Sequence, residues 1–151
     1  MLLRDTILAY LHFLSIIATV SVVVAELALC RPGLDAKRLK VLSRIDLWYL
    51  FVALAALATG FSRAIWGVKG WGFYSHNPLF WVKITLFVAV GLLSIIPTLR
   101  FIRWGKQLSS DSATVLTDGE VQAMSRYITL ELILLALIPL MATLMSRGFG
   151  Y

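Results

Sequence analysis

The chain has 151 residues, the length of one domain, and 60% of them are hydrophobic. This fraction, together with a mean hydropathy of +0.85, exceeds that of soluble globular proteins and excludes an ordinary soluble domain. The net charge of +6 does not indicate nucleic-acid binding, because the basic residues lie at the ends of apolar stretches and not on one amphipathic face. The composition therefore predicts a polytopic membrane protein embedded in a lipid bilayer.

The first two apolar stretches predict transmembrane helices over residues 6–30 and 45–66. About twenty apolar residues, at a rise of about 1.5 Å each, are enough to cross the hydrocarbon core of a bilayer. The loop between them, residues 31–44, is strongly basic, so the positive-inside rule predicts that it is cytoplasmic. A stripe of small residues in the second helix favours close packing of a neighbouring helix or of a second copy of the chain. The stripe consists of Ala53, Ala56, Gly60 and Ala64.

The other two predicted membrane helices cover residues 78–99 and 127–146. Asn77 is a favoured cap for the third helix, and Pro78 suits its first position, where a missing N–H has no cost. The basic and polar residues 100–126 predict a second cytoplasmic loop. The expected fold is an all-α, four-helix transmembrane bundle in a single domain, with both termini on the periplasmic side.

Counting the helical rise from each helix end places three basic side chains near the outer face: His12, Arg63 and Lys83. Two cations that face inward at this depth favour an anionic ligand, such as the propionates of haem. An imidazole cannot extend to the headgroups as a lysine can, so His12 is either a haem or metal ligand or hydrogen-bonded to a neighbouring helix. Haem b is therefore the candidate cofactor.

Two methionines of the fourth helix offer a second kind of site at similar depth. Met141 and Met145 lie four residues apart, which places them on neighbouring positions of one helix face. With His12 they predict a copper site, because thioether and imidazole ligands suit Cu(I).

A second polar layer is predicted near the inner face, where acidic side chains lie within a few turns of the helix ends. Glu26, Asp46 and Glu131 belong to three different helices, and arginines such as Arg100 lie at the same depth. Structural ion pairs that lock the bundle are one interpretation, because paired charges cost less in lipid than lone ones. A proton relay between carboxylates is the other.

Several motifs resemble a bacterial inner-membrane family catalogued as domain of unknown function 2214, and they cover nearly the whole chain. They are Tyr10-Leu11-His12-Phe13, Arg31-Pro32-Gly33-Leu34-Asp35, Ala58-Thr59-Gly60-Phe61-Ser62-Arg63, His76-Asn77-Pro78, Phe80-Trp81-Val82-Lys83 and Pro97-Thr98-Leu99-Arg100-Phe101. The resemblance implies an inner-membrane location and brings no assigned activity.

A looser resemblance concerns the HemJ protoporphyrinogen oxidase family and the CopD copper-resistance family. The likeness to HemJ implies that His12 is a haem ligand and that Lys83 is a cation of a porphyrin site. The likeness to CopD rests on Thr59, Gly60 and Lys83.

These observations together predict an inner-membrane protein that binds haem and takes part in redox chemistry, as a homo-oligomer or with a membrane redox partner. A small transport or copper-handling protein and a non-catalytic membrane scaffold are the alternatives. The sequence contains no nucleophile, nucleotide or iron-sulfur motif, so it assigns no reaction.

Overall fold

The computed structural model describes residues 2–110 and 116–150, and every element within them is helical. The elements are α1 (Leu2–Leu29), α2 (Ala36–Trp66), α3 (Gly70–Ser75), α4 (Pro78–Ser110) and α5 (Asp118–Ser146). The four longer helices are long and apolar enough to cross a membrane. The structure confirms the predicted all-α fold with four membrane-spanning helices.

The four long helices form a ring in which each helix is antiparallel to its two neighbours. Helix α1 contacts α2 and α5, and α4 contacts α5 and α2. The start of α1 lies at the end of α2, where Arg4 Nη2 donates to Trp66 O at 2.6 Å. The end of α1 lies at the start of α5, where Cys30 Sγ contacts Val121 O at 3.7 Å. Helix α1 is therefore antiparallel to both neighbours. Helix α1 therefore begins, and α5 ends, at one end of the bundle, which we call the termini end; the opposite end is the loop end.

The start of α4 is fixed by the predicted cap. The Asn77 side chain accepts a hydrogen bond from the Leu79 N–H at 2.9 Å and donates one from Nδ2 to the Phe149 carbonyl at 3.1 Å. Asn77 is fully buried, and Pro78 occupies the first helical position. The cap thereby also holds the residues after α5 against the termini end.

Three helices extend well beyond their predicted membrane spans at the loop end, so the predicted loops 31–44 and 100–126 are largely helical. Helix α2 begins at Ala36 because the Asp35 carboxylate accepts from the Arg38 N–H at 2.8 Å and caps it. The extensions persist because their apolar residues pack into a common core. This core includes Leu39, Leu42, Phe101, Trp104, Val121 and Met124.

Most of the apolar surface away from this core faces outward. Leu54, Val88, Leu92 and Ile133, for example, are each about half exposed in the isolated chain. Contiguous apolar surface of this extent is what lipid chains cover in a membrane protein. We therefore expect the outer faces of the bundle to contact the lipid chains of the bilayer.

Candidate functional site

A cavity of about 410 Å³ opens inside the termini end of the bundle. Residues from all four long helices line it, together with Lys69 and Tyr74 from the hairpin between α2 and α4. The walls are mainly apolar and include Ile16, Leu57, Phe61, Phe80, Phe87 and Ile138. A volume of this size, with a few polar groups on apolar walls, is typical of small-molecule sites.

The structure brings all three predicted basic residues, His12, Arg63 and Lys83, to this one cavity. Each is partly buried. They come from three helices, α1, α2 and α4, and the two cations act electrostatically on His12 and on each other. Positive charge is therefore concentrated on one wall of the cavity.

Hydrogen bonds to α2 fix the orientation of the His12 ring. His12 Nδ1 lies 3.2 Å from Thr59 Oγ1, and the Thr59 hydroxyl donates its only proton to the Ala55 carbonyl at 2.6 Å. A threonine oxygen that donates to Ala55 is placed to accept from an Nδ1–H group, and a neutral ring that carries this proton keeps its lone pair on Nε2.

The two cations of the cavity have aromatic neighbours instead of acidic ones. Arg63 Cζ lies 5.6 Å from the centre of the Phe13 ring, and Lys83 Nζ lies 5.6 Å from the centre of the Phe80 ring. Within residues 2–110 and 116–150, neither forms an ion pair with a carboxylate. Asp5, an acidic residue in the first turn of α1, accepts from the Val68 N–H at 3.1 Å. The positive charge is therefore available to a ligand.

The two predicted methionine ligands do not share the cavity. Met145 lines it, but Met141 does not. The face of α5 that meets the cavity runs through Ile138, Ala142 and Met145. Met141 directly precedes Ala142 and is therefore turned about 100° away. The predicted copper set of His12, Met141 and Met145 thus loses one member, and no three His, Cys, Asp or Glu side chains of the described residues form a metal site.

The acidic residues Glu26, Asp46 and Glu131 lie inside the loop-end half of the bundle, and we call them the carboxyl cluster. Their exposed fractions are 2%, 9% and 0%. Asp46 Oδ1 accepts from the Thr98 hydroxyl at 2.7 Å. Glu26 Oε1 and both carboxyl oxygens of Glu131 have no hydrogen-bond partner.

The predicted ion pairs of this cluster are not formed. The one ion pair in the described part of the chain joins Arg100 to Glu120 at 3.4 Å, on the surface. Arg44 and Arg126, which lie at a similar depth to the acids in sequence, are exposed. Their helices turn these arginines outward while the acids face inward.

The two polar sites lie at opposite ends of the membrane-spanning part of the bundle. In α1, α4 and α5 the separation is 14 or 15 residues, as from His12 to Glu26 or from Glu131 to Met145, and in α2 it is 17 residues. At about 1.5 Å per residue, the separation in α1 is about 21 Å. Sequence reasoning found both layers and named Thr59 and Gly60, through the stripe of small residues and the likeness to CopD, but it did not predict that Thr59, Gly60 and Thr98 position the side chains of these sites. Hydroxyl and glycine residues inside an apolar helix are the signal that points to them.

Comparison with known proteins supports the assignment to a membrane-protein family. No curated protein and no solved structure matches the chain. A family described as "Predicted membrane protein (DUF2214)" matches residues 4–150. That match spans both polar sites and all five helices. The chain therefore belongs to the DUF2214 family of predicted membrane proteins.

Proposed function

We propose that the protein binds an anionic, largely apolar ligand in the termini-end cavity, and that a b-type haem is this ligand. One observation carries the proposal: His12, Arg63 and Lys83 line a single apolar cavity, and the two cations have no acidic partner among the residues that the structure describes. Cations inside a membrane protein are costly unless something pairs with them. A ligand with carboxylate groups and an apolar body supplies both the missing charge and the contacts for the walls.

The state of His12 supports haem among such ligands. Metal ions bind a neutral imidazole through one nitrogen while the other nitrogen donates a hydrogen bond that fixes the ring. The contact between His12 Nδ1 and Thr59 Oγ1 fits this arrangement, with Nδ1 as the donor and Nε2 as the metal-binding nitrogen. Bound haem would supply one-electron redox chemistry, whose potential depends on the axial ligands and on burial.

The remaining residues of the cavity have defined roles in this proposal. Arg63 and Lys83 would pair with the propionates, and the aromatic rings of Phe61, Phe80 and Phe87 would contact the macrocycle. Met145 lines the same cavity and would hold the iron together with His12. Haem held by His and Met has a raised reduction potential relative to other ligand sets.

Absorption spectra of the purified protein test the proposal. They are recorded in mild detergent, oxidised and dithionite-reduced, before and after addition of haem. We expect a Soret band with sharp reduced α and β bands, lost in His12→Ala and retained in His76→Ala. His76 is a suitable control because it lies outside the cavity, with Nδ1 bound to the Gly72 carbonyl at 2.8 Å.

Charge variants test the role of the two cations separately from the role of His12. Arg63→Gln and Lys83→Gln should each weaken haem binding about tenfold or more, as loss of a buried charge partner does. Lys40→Gln, on the exposed start of α2, should not. A folded protein that stays colourless with added haem would refute haem. Copper analysis of the same samples then tests the alternative of a copper site with His12 and Met145 as ligands. If the protein binds neither haem nor copper, the non-catalytic scaffold is the function that remains.

We further infer that the chain lies in a bacterial inner membrane with the loop end in the cytoplasm. Nine of the fourteen basic residues lie at the loop end, which the positive-inside rule assigns to the cytoplasm. They are Arg31, Lys37, Arg38, Lys40, Arg44, Arg100, Arg103, Lys106 and Arg126. Fusion of alkaline phosphatase to the C-terminus tests this orientation, because that enzyme is active only outside the cytoplasm. If the phosphatase fusion were inactive and a reporter that works only in the cytoplasm were active at the same position, the C-terminus would lie in the cytoplasm and the inferred orientation would be wrong.

A further inference from the structure

The carboxyl cluster presents an excess of acidic groups for which the bundle supplies no countercharge. Glu26 comes from α1, Asp46 from α2 and Glu131 from α5, and all three are at least nine-tenths buried. No lysine, arginine or histidine of the described residues forms an ion pair with them. The other titratable groups beside the cluster are the Cys30 thiol and the Tyr49 phenol, neither of which is a cation.

Three ionised carboxylates cannot remain unpaired in such a place. Each buried charge without a partner costs several kcal/mol, and the three would also repel one another. The cluster must therefore bind positive charge. A metal ion does not fit, because the carboxyls do not converge as metal ligands. Protons fit, since each carboxyl binds its own proton and needs no shared coordination shell.

The hydrogen bonds divide the cluster into two kinds of carboxyl. Asp46 Oδ1 already accepts from Thr98, which suits an ionised carboxylate. Both oxygens of Glu131 and one oxygen of Glu26 have no hydrogen-bond partner in the described part of the chain. A proton on either glutamate is therefore not locked into a structural hydrogen bond and is free to transfer.

Asp46 is also the member of the cluster with an outlet. A groove of about 420 Å³ runs between α2 and α4, and Asp46 lines it together with the hydroxyl groups of Tyr49, Ser94 and Thr98. The other walls of the groove are apolar and include Leu47, Leu54 and Leu99, so water would enter only beside these hydroxyls and the Asp46 carboxyl, which can bind it. Water next to these hydroxyls would reach Asp46, which is the most exposed of the three carboxyls at 9%.

We propose that the carboxyl cluster is a proton-binding site inside the membrane, in which Glu26 and Glu131 hold protons and Asp46 exchanges them with water in the groove. Each transfer breaks one O–H bond and forms another between carboxyl oxygens, directly or through water, and changes no oxidation state. The site lies about 21 Å along the bundle from the termini-end cavity. It does not depend on haem binding there.

Infrared spectroscopy of the purified protein at neutral pH tests whether Glu26 and Glu131 hold protons. Protonated carboxyls absorb separately from carboxylates, and their bands shift in D₂O. We expect such bands in the wild type, and expect Glu26→Gln and Glu131→Gln each to remove part of this absorption. Glu120→Gln should remove none, because Glu120 is exposed on the surface.

A pH jump followed with an indicator dye tests the exchange. Asp46→Asn should keep the glutamate bands but slow proton uptake about a hundredfold, the effect of removing a positioned acid-base group. A wild-type spectrum without protonated carboxyls would overturn the proposal without any variant. Bands unchanged in both glutamine variants, or uptake unchanged in a folded Asp46→Asn protein, would overturn it as well.

Discussion

The His12 ring of α1 lies directly against Gly60 of α2. A Cβ atom on residue 60 would come within 2.9 Å of His12 Cε1, closer than real Cβ contacts. Gly60 belongs to the predicted stripe of small residues, of which Ala56 and Ala64 are also buried. The stripe is thus used inside the chain, where it admits the histidine, and is not left for contact with a second copy.

Gly60→Ala should displace the His12 ring and break its contact with Thr59. Such overpacking costs about 1–3 kcal/mol of unfolding free energy, and here it should also abolish haem binding. Gly91→Ala is the matched control, because a Cβ there meets nothing within 4 Å. The control should be neutral or stabilising by about 1 kcal/mol, since alanine is the better helix former. Thermal unfolding in detergent and haem titration measure both effects.

If Gly60→Ala bound haem as the wild type does, the ring position of His12 would be irrelevant to the ligand, and His12 would have only a packing role.

Thr59→Val tests the orientation of the imidazole without changing its space. The variant removes the acceptor of the His12 Nδ1–H group, which is left unpaired at a cost of about 1–3 kcal/mol. Loss of a hydrogen bond to a metal-binding histidine typically weakens metal affinity about 10- to 100-fold. Thr129→Val is the control, since Thr129 is exposed and bonds only to the Ser125 carbonyl at 2.8 Å. Equal haem affinity in the two variants would contradict the assigned lone pair on Nε2.

Asn77 links the start of α4 to the end of the chain, so its removal should be felt at both places. Asn77→Ala loses the cap and leaves buried groups unpaired, which should cost about 1–3 kcal/mol of unfolding free energy. Asn77→Ser keeps an acceptor for the Leu79 N–H but is too short to reach the Phe149 carbonyl. It should therefore retain part of the stability. Equal losses in thermal unfolding would show that the cap contributes nothing.

Hydropathy was sufficient to predict the fold, because lipid demands long apolar helices whatever they pack against. It located the four spans, and Asn77 and Pro78 located the start of α4. It did not show that α2 begins at Ala36 or that α4 continues to Ser110. Those extensions lie beyond the apolar spans, and they are stabilised by packing on one another and, at the start of α2, by the Asp35 cap.

Depth in the membrane was predictable from the sequence, but rotation about the helix axis was not. Counting residues from helix ends correctly grouped His12, Arg63 and Lys83, because all three also face the bundle axis. The same count placed Arg100 with the buried acids, but its helix turns it toward Glu120 on the surface. Rotation is set by the packing of neighbouring helices, which a single sequence does not reveal.

Cys30 should be nearly inert toward thiol reagents in the folded protein. It follows the last residue of α1, is fully buried, and donates to the Val121 carbonyl at 3.7 Å. Burial raises the pKa of the Cys30 thiol to about 11. Because the thiolate is the nucleophile and the pKa is raised, the reactive fraction near pH 8 is about a hundredfold below that of an ordinary cysteine.

Maleimide labelling of the detergent-solubilised protein measures this reactivity. Labelling should be slow at pH 7–8, should quicken as the pH approaches 11, and should become complete in SDS. The control is Ser109→Cys in a Cys30→Ser background, because Ser109 is exposed on the last turn of α4. It should label at the rate of a free thiol. Rapid labelling of native Cys30 at pH 7 would mean that the contact between the end of α1 and α5 opens readily, and that the loop-end core above the carboxyl cluster does not exclude water.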